Sequence, residues 1–168
     1  SLAGALTLAS GAKLTGEGSS SSSVLLNGTS IITFDPNSTA AFTADTVTVD
    51  SLANVTILPS TTPPNSTGIV VIDTINGITG DISNFSFTGR GTLSFSGDNK
   101  QLLFDYTPVS IKWKGADSID DEIWDVNTTT NWVDGANNPE KFFTTDAVTF
   151  DDTATSYDIF VDTNGIIP

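Results

Sequence analysis

The chain of 168 residues contains no cysteine, no histidine and no methionine, and only 6 of its residues are basic. Without cysteine there is neither a disulfide framework nor a thiolate metal site. Without histidine the commonest general base and the commonest transition-metal ligand are both missing. The lack of methionine even at position 1 makes a processed product, or a piece of a longer chain, the expectation. Six cations against 20 acidic residues leave a net charge of −14. Nucleic-acid affinity rests on lysine and arginine neutralising phosphates, so a nucleic-acid partner is not expected. Binding to an anionic membrane surface fails on the same ground. No apolar run approaches the roughly 20 residues of a membrane-spanning helix. The opening SLAGALTLA lacks a basic leader and does not read as a signal peptide.

What remains is rich in Ser, Thr, Asn and Gly, with 10 phenylalanines and 3 tryptophans and only 15% charged residues. Abundant β-branched and aromatic residues with little charge make a β-type composition. Apolar residues alternate with polar ones along most of the chain: Leu6 and Leu8, Val47 and Val49, Val55 and Ile57, Phe85 and Phe87, Leu93 and Phe95, Leu102 and Phe104, Ile111 and Trp113, Val148 and Phe150, Ile159 and Val161. A period of two is the strand signature. No convincing 3.6-residue stripe is present, and the best helical candidate, Asp117–Glu122, is short and acidic. Turn formers such as TGEGSSSSS, LNGTS, INGITGD and VDGANNP separate the strands. SSSSS at Ser19–Ser23 reads as an exposed loop. PSTTPPNSTG at Pro59–Gly68 reads as a protruding connection.

Many short strands with frequent turns mean a sandwich, a barrel or a solenoid. Repeated strand–turn–strand segments such as GALTLASGAKLTG favour an all-β parallel β-helix (β-solenoid), with a β-sandwich as the alternative. Residues 1–100 carry 7 acidic and 3 basic side chains, and residues 101–168 carry 13 and 3. This charge shift places a boundary near Pro108. Residues 1–108 form the solenoid-like region and residues 109–168 a tryptophan-rich β-module.

The run STGIVVIDTINGITGDISNFSF, followed by LSFSGDNKQLLFDY, resembles the closing segment of bacterial autotransporter passenger repeats. The last third of the chain is similar to the autotransporter-associated β-strand repeat. The matching positions are Trp113, Gly115, Trp124, Asp125, Asn131, Trp132, Phe143, Asp146, Val148, Phe150, Asp151, Asp152 and Pro168. The resemblance implies a right-handed parallel β-helix and a structural or adhesive role in a secreted or surface-anchored protein. No autotransporter barrel fits in this length, so a passenger fragment, a repeat unit or a stand-alone subunit is expected.

Three candidate sites follow. Trp113, Trp124 and Trp132 could form an aromatic platform for surface glycans, but the preferred reading of IWDVNTTTNW is a staple that fixes a turn, with Asn131 bonded to turn backbone. Asp120, Asp121, Asp151 and Asp152 could supply oxygens to calcium, although the spacing matches no EF-hand, and a solvated acidic face is the simpler reading. Paired carboxylates could hydrolyse glycosides, but nothing sets two of them across a groove, and no enzyme activity or other cofactor is expected. Six N-x-S/T sequons stand at Asn27, Asn37, Asn54, Asn65, Asn84 and Asn127. The expected function is an extracellular or cell-surface structural protein. It would be a filament subunit or adhesin-type scaffold that associates with itself head-to-tail through terminal strands or coil stacking. A carbohydrate-binding module and a phage or virus fibre are the alternatives.

Overall fold

The computed structural model describes residues 4–38, 40, 42–61, 63–115, 122–144 and 146–162. The fold is all-β with parallel sheets. Among the described residues there is no α-helix, and one 3-10 turn, Ile82–Asn84. The chain divides into two compact units, Ser1–Thr107 and Pro108–Pro168.

The first unit runs through β1 (Leu6–Leu8), β2 (Lys13–Thr15), β3 (Gly18–Ser19), β4 (Val24–Leu26), β5 (Thr29–Phe34), β6 (Phe42–Ala44), β7 (Val47–Val49), β8 (Asn54–Pro59), β9 (Ser66–Thr74), β10 (Ile78–Thr79), β11 (Phe85–Ser86), β12 (Gly91–Phe95) and β13 (Gln101–Tyr106). Consecutive strands do not pair with each other until the last two. They join three sheets in rotation: β1-β4-β7-β10, then β2-β5-β8-β11, then β3-β6-β9. All pairs in this rotation are parallel. The third sheet ends differently. β13 returns antiparallel onto β9, and β12 pairs antiparallel with β13. That sheet therefore has five strands where the other two have four.

The register explains the alternation seen in the sequence. Leu8, Leu26 and Val49 are aligned partners, as are Val24, Val47 and Ile78, and Phe42, Ile72 and Leu102. All of these are buried. The outward row of the first sheet is Thr7, Leu25, Thr48 and Thr79. A one-residue slip would exchange the two rows, so burial of one face fixes the pairing. The residue steps between aligned partners are unequal: 18 from Leu6 to Val24, 23 from Val24 to Val47, and 31 from Val47 to Ile78.

Aromatic rings fill the end of this unit formed by β11, β12 and β13. Phe104 meets Phe34 edge-on at 5.5 Å and Phe87 at 4.8 Å, and Phe85 meets Phe95 at 5.9 Å. Gly91 makes room for this cluster, since a Cβ there would lie 2.1 Å from the Phe104 ring. Asn84 is buried, and its amide donates to Ala53 O at 2.9 Å, tying one turn to the next. The serine run departs from the expected exposed loop. Ser19 lies in β3, and Ser20 is turned inward, where its hydroxyl accepts from the Ser22 N–H at 3.2 Å.

The second unit contains β14 (Ser110–Trp113), β15 (Ile123–Trp124), β16 (Trp132–Val133), β17 (Pro139–Glu140), β18 (Ala147–Thr149) and β19 (Phe160–Val161). β14 is central in a mixed sheet, antiparallel to β16 and parallel to β18, with β17 outside β16. β15 and β19 form a separate parallel pair. The helical candidate Asp117–Glu122 falls at residues 117–121 outside the described residues.

Phe85 is 6% exposed and inside the core, while Ser86 beside it faces out. Phe85→Ala is expected to cost about 3–5 kcal/mol, and Ser86→Ala little, as read by chemical denaturation. An unchanged Phe85→Ala midpoint would contradict this register.

Candidate functional site

The three tryptophans come together in the second unit, and they are covered. Trp113 is 1% exposed, Trp124 9% and Trp132 0%. Trp113 and Trp132 pack edge to face at 5.0 Å, and Trp124 meets Trp132 at 5.2 Å and Phe142 at 5.2 Å. Edge-to-face packing is favoured by the ring quadrupoles. The indole N–H of Trp113 donates to Ser156 O at 2.9 Å. The platform expectation is therefore corrected: stacking on a sugar ring needs an open aromatic face, and here each indole is buried against its aromatic neighbours. Trp124 Nε1 and Trp132 Nε1 are buried without a hydrogen-bond partner. Phe150 lies at the margin of the cluster, about half exposed, 5.8 Å from Trp124.

The segment between Trp124 and Trp132 is a hydrogen-bonded staple. The Asp125 carboxylate accepts from the Thr129 N–H at 2.9 Å and from its hydroxyl at 3.1 Å. The Asn131 amide donates to Ile123 O at 2.8 Å and to Thr129 Oγ1 at 3.2 Å. The Asn131 main-chain carbonyl accepts from the N–H groups of Lys114 and Gly115 at 2.9 and 3.1 Å. Asp146, also buried, accepts from the Phe143 N–H at 2.9 Å. Asp125, Asn131 and Asp146 are the buried polar residues of this unit among the described residues. Asp125 and Asp146 satisfy backbone donors of turns and Asn131 an acceptor at the start of β15, which is what burial demands.

Two of the four acidic candidates fall among the described residues. Asp120 and Asp121 lie outside the described residues. Asp152 is exposed. One Asp151 oxygen accepts from Thr153 N–H and Oγ1 at 2.8 and 2.5 Å, and the other lies 3.4 Å from Lys112 Nζ. The Thr153 bonds hold the Asp151 carboxyl below the ordinary aspartate value. Among the described residues no three acidic side chains converge in a group able to hold a metal ion. Of the six sequon asparagines, Asn84 is buried and the other five are exposed.

Two features escaped the sequence reading. An open groove of about 430 Å³ lies in the first unit between β11 and β12, with Ile82, Phe85, Phe87 and Leu93 as its apolar lining. A run of exposed large side chains lies near the end of the second unit: Tyr157 at 66%, Phe160 at 65% and Val161 at 51%. Alternation marks which residues can face inward, but not which inward face lacks a cover.

No helix among the described residues is long and apolar enough to cross a membrane. No protein-family model matches the chain, and neither a curated protein nor a solved structure matches it. The autotransporter resemblance rests on the motif residues alone.

Asn131→Ala removes the 2.8 Å amide bond to Ile123 O and leaves that carbonyl only the longer bond from the Thr129 hydroxyl at 3.3 Å, and a loss of about 0.5–1.5 kcal/mol is expected, with the tryptophan fluorescence transition shifted accordingly. A midpoint equal to that of the parent would refute the staple. The turn of Asp134 offers a second check. Its carboxylate accepts from Asn138 Nδ2 at 2.9 Å, Asn138 N–H at 2.8 Å and Ala136 N–H at 2.8 Å, and these bonds lower its pKa. A folded pKa below the unfolded one gives stability that is present above the unfolded value and lost as pH falls through the folded one. Asp134→Asn should flatten that part of the acid unfolding profile. A profile identical to the parent's would contradict the assignment.

Proposed function

We propose that this chain is an extracellular or cell-surface structural protein, a filament or adhesin-type scaffold, whose first unit is a three-sided parallel β-solenoid. The solenoid reading is supported by the rotation of consecutive strands through three parallel sheets and by the aligned inward rows. The scaffold reading is supported by the fate of the motif residues. Trp113, Trp124, Asp125, Asn131, Trp132 and Asp146, the residues with the most chemistry to offer, are spent on packing and on turns. The acidic net charge and the autotransporter-like motifs agree with a secreted setting.

The observation that carries self-association is the set of open edges. Among the described residues β1, β2, β3, β11 and β19 are each paired on one side only. Leu6, Ala12 and Leu14 beside them are only partly buried. Strand edges with unpaired backbone groups and an apolar flank are templates for another chain. Addition of single strands is favoured over stacking of whole coils. The inserted β13 pushes β12 one strand further out than β10 and β11, so a level coil end would meet a stepped one.

Sedimentation velocity from low to high micromolar concentration, with electron microscopy of the same samples, tests this. The expected result is a sedimentation coefficient that rises with concentration, and elongated assemblies in the images. A monomer at every concentration would overturn the proposal.

A further inference from the structure

We infer that the edge strand β19 of one copy adds to the free edge of β11 in a second copy, seating the exposed Phe160 side chain in the groove between β11 and β12. The inference rests on the self-association proposed above and names its two surfaces.

The acceptor is defined by the step at the end of the first unit. β11 pairs with β8 on one side and with no described strand on the other. Because β12 stands one strand beyond it, the open edge of β11 is a recess rather than a flat rim. The recess is floored by Ile82, Phe85, Phe87 and Leu93. Of these, Ile82, Phe87 and Leu93 are only partly buried although they pack on the core. Ser83, Ser86 and Thr92 form an uncharged rim. A recess with strand geometry, an apolar floor and neutral walls fits an extended apolar segment better than it fits a small polar ligand.

The donor is in the same chain. β19 is paired on one side, to β15. The N–H groups of Phe160 and Asp162 are used on that side, donating to Glu122 O at 2.7 Å and Trp124 O at 2.9 Å. In an extended strand the backbone groups of alternate residues point to opposite edges. Those of Ile159 and Val161 therefore face away from β15. Among the described residues, three of the seven exposed large hydrophobic side chains, Tyr157, Phe160 and Val161, fall within residues 157–161, with Phe160 on the strand face opposite to Ile159 and Val161. An exposed apolar cluster on a strand edge marks an interaction surface. Every copy carries both donor and acceptor, so a second copy supplies the missing partner without any other component. The two surfaces differ, so the contact is heterologous and propagates into rings or open chains.

The complementary-variant experiment reads this directly. Phe160→Asp, with Phe160→Lys as a second donor variant, places charge on a side chain that is more than half exposed. Thr92→Glu places charge on the groove rim at an exposed position. Circular dichroism melts check that each variant keeps the parent fold. Each variant alone is expected to associate at least tenfold more weakly than the parent in sedimentation velocity. An equimolar mixture of Phe160→Asp with Thr92→Glu is expected to form a 1:1 dimer that does not grow, because the first retains its acceptor and the second its donor. Variants that assemble as well as the parent would overturn these surfaces while leaving self-association standing. A mixture that stays monomeric would overturn the pairing of this donor with this acceptor. A parent that is monomeric at every concentration would overturn both this inference and the proposed function.

Discussion

The parallel ladder between residues 18 to 31 apart in sequence is the interaction on which the first unit depends. Each strand is too short to bury a core by itself. β1, β4 and β7 have three residues each, and β10 and β11 have two. Stacking such pieces in register puts Leu8 on Leu26 on Val49, and Val24 on Val47 on Ile78, so every strand completes the apolar column of its neighbour. Stability in such an arrangement is close to a sum over nearest-neighbour contacts. The exposed ends are then the least supported parts, and they are where strand addition is proposed.

The second unit solves a different problem. Its strands are as short, but the sheet around β14 is mixed, and five bulky side chains, Ile111, Trp113, Trp124, Trp132 and Phe142, make its core. Tryptophans bury much area per residue, which offsets the small number of residues available. Long connections between the strands leave buried backbone groups that no ladder satisfies. Asp125, Asn131 and Asp146 satisfy them from side chains. Among the described residues of this unit, the buried carboxylates of Asp125 and Asp146 hold turns, and Asp151 and Asp152 are exposed.

Much of this was legible in the alternation. Leu8, Val47, Val49, Val55, Ile57, Phe85, Leu102, Phe104, Ile111 and Trp113 are all buried, and each was marked by its period of two. The staple role of Asn131 was also legible, because an amide between a threonine run and a tryptophan has turn backbone within reach. The step between paired strands was not legible. Aligned positions are 18, 23 and 31 residues apart in the first sheet, since the later steps carry longer strands and connections such as β9 and the proline-rich stretch before it. A drifting step leaves no fixed period to detect. The platform expectation for Trp113, Trp124 and Trp132 failed for a related reason. Strand alternation shows that two such rings share a side, but only packing shows whether that side is covered. The return of β13 between β9 and β12 carries no sequence signal separating it from one more parallel strand.

The rotation of strands through three parallel sheets is the claim from which the rest follows, and amide proton contacts measured by NMR test it most directly. The account predicts inter-strand NOEs that link the neighbourhoods of Thr7, Leu25, Thr48 and Thr79 in that order, with spacing that stays constant along each strand, as parallel pairing requires. Contacts of the hairpin kind between chain-adjacent strands, for example β4 with β5 or β7 with β8, would contradict it.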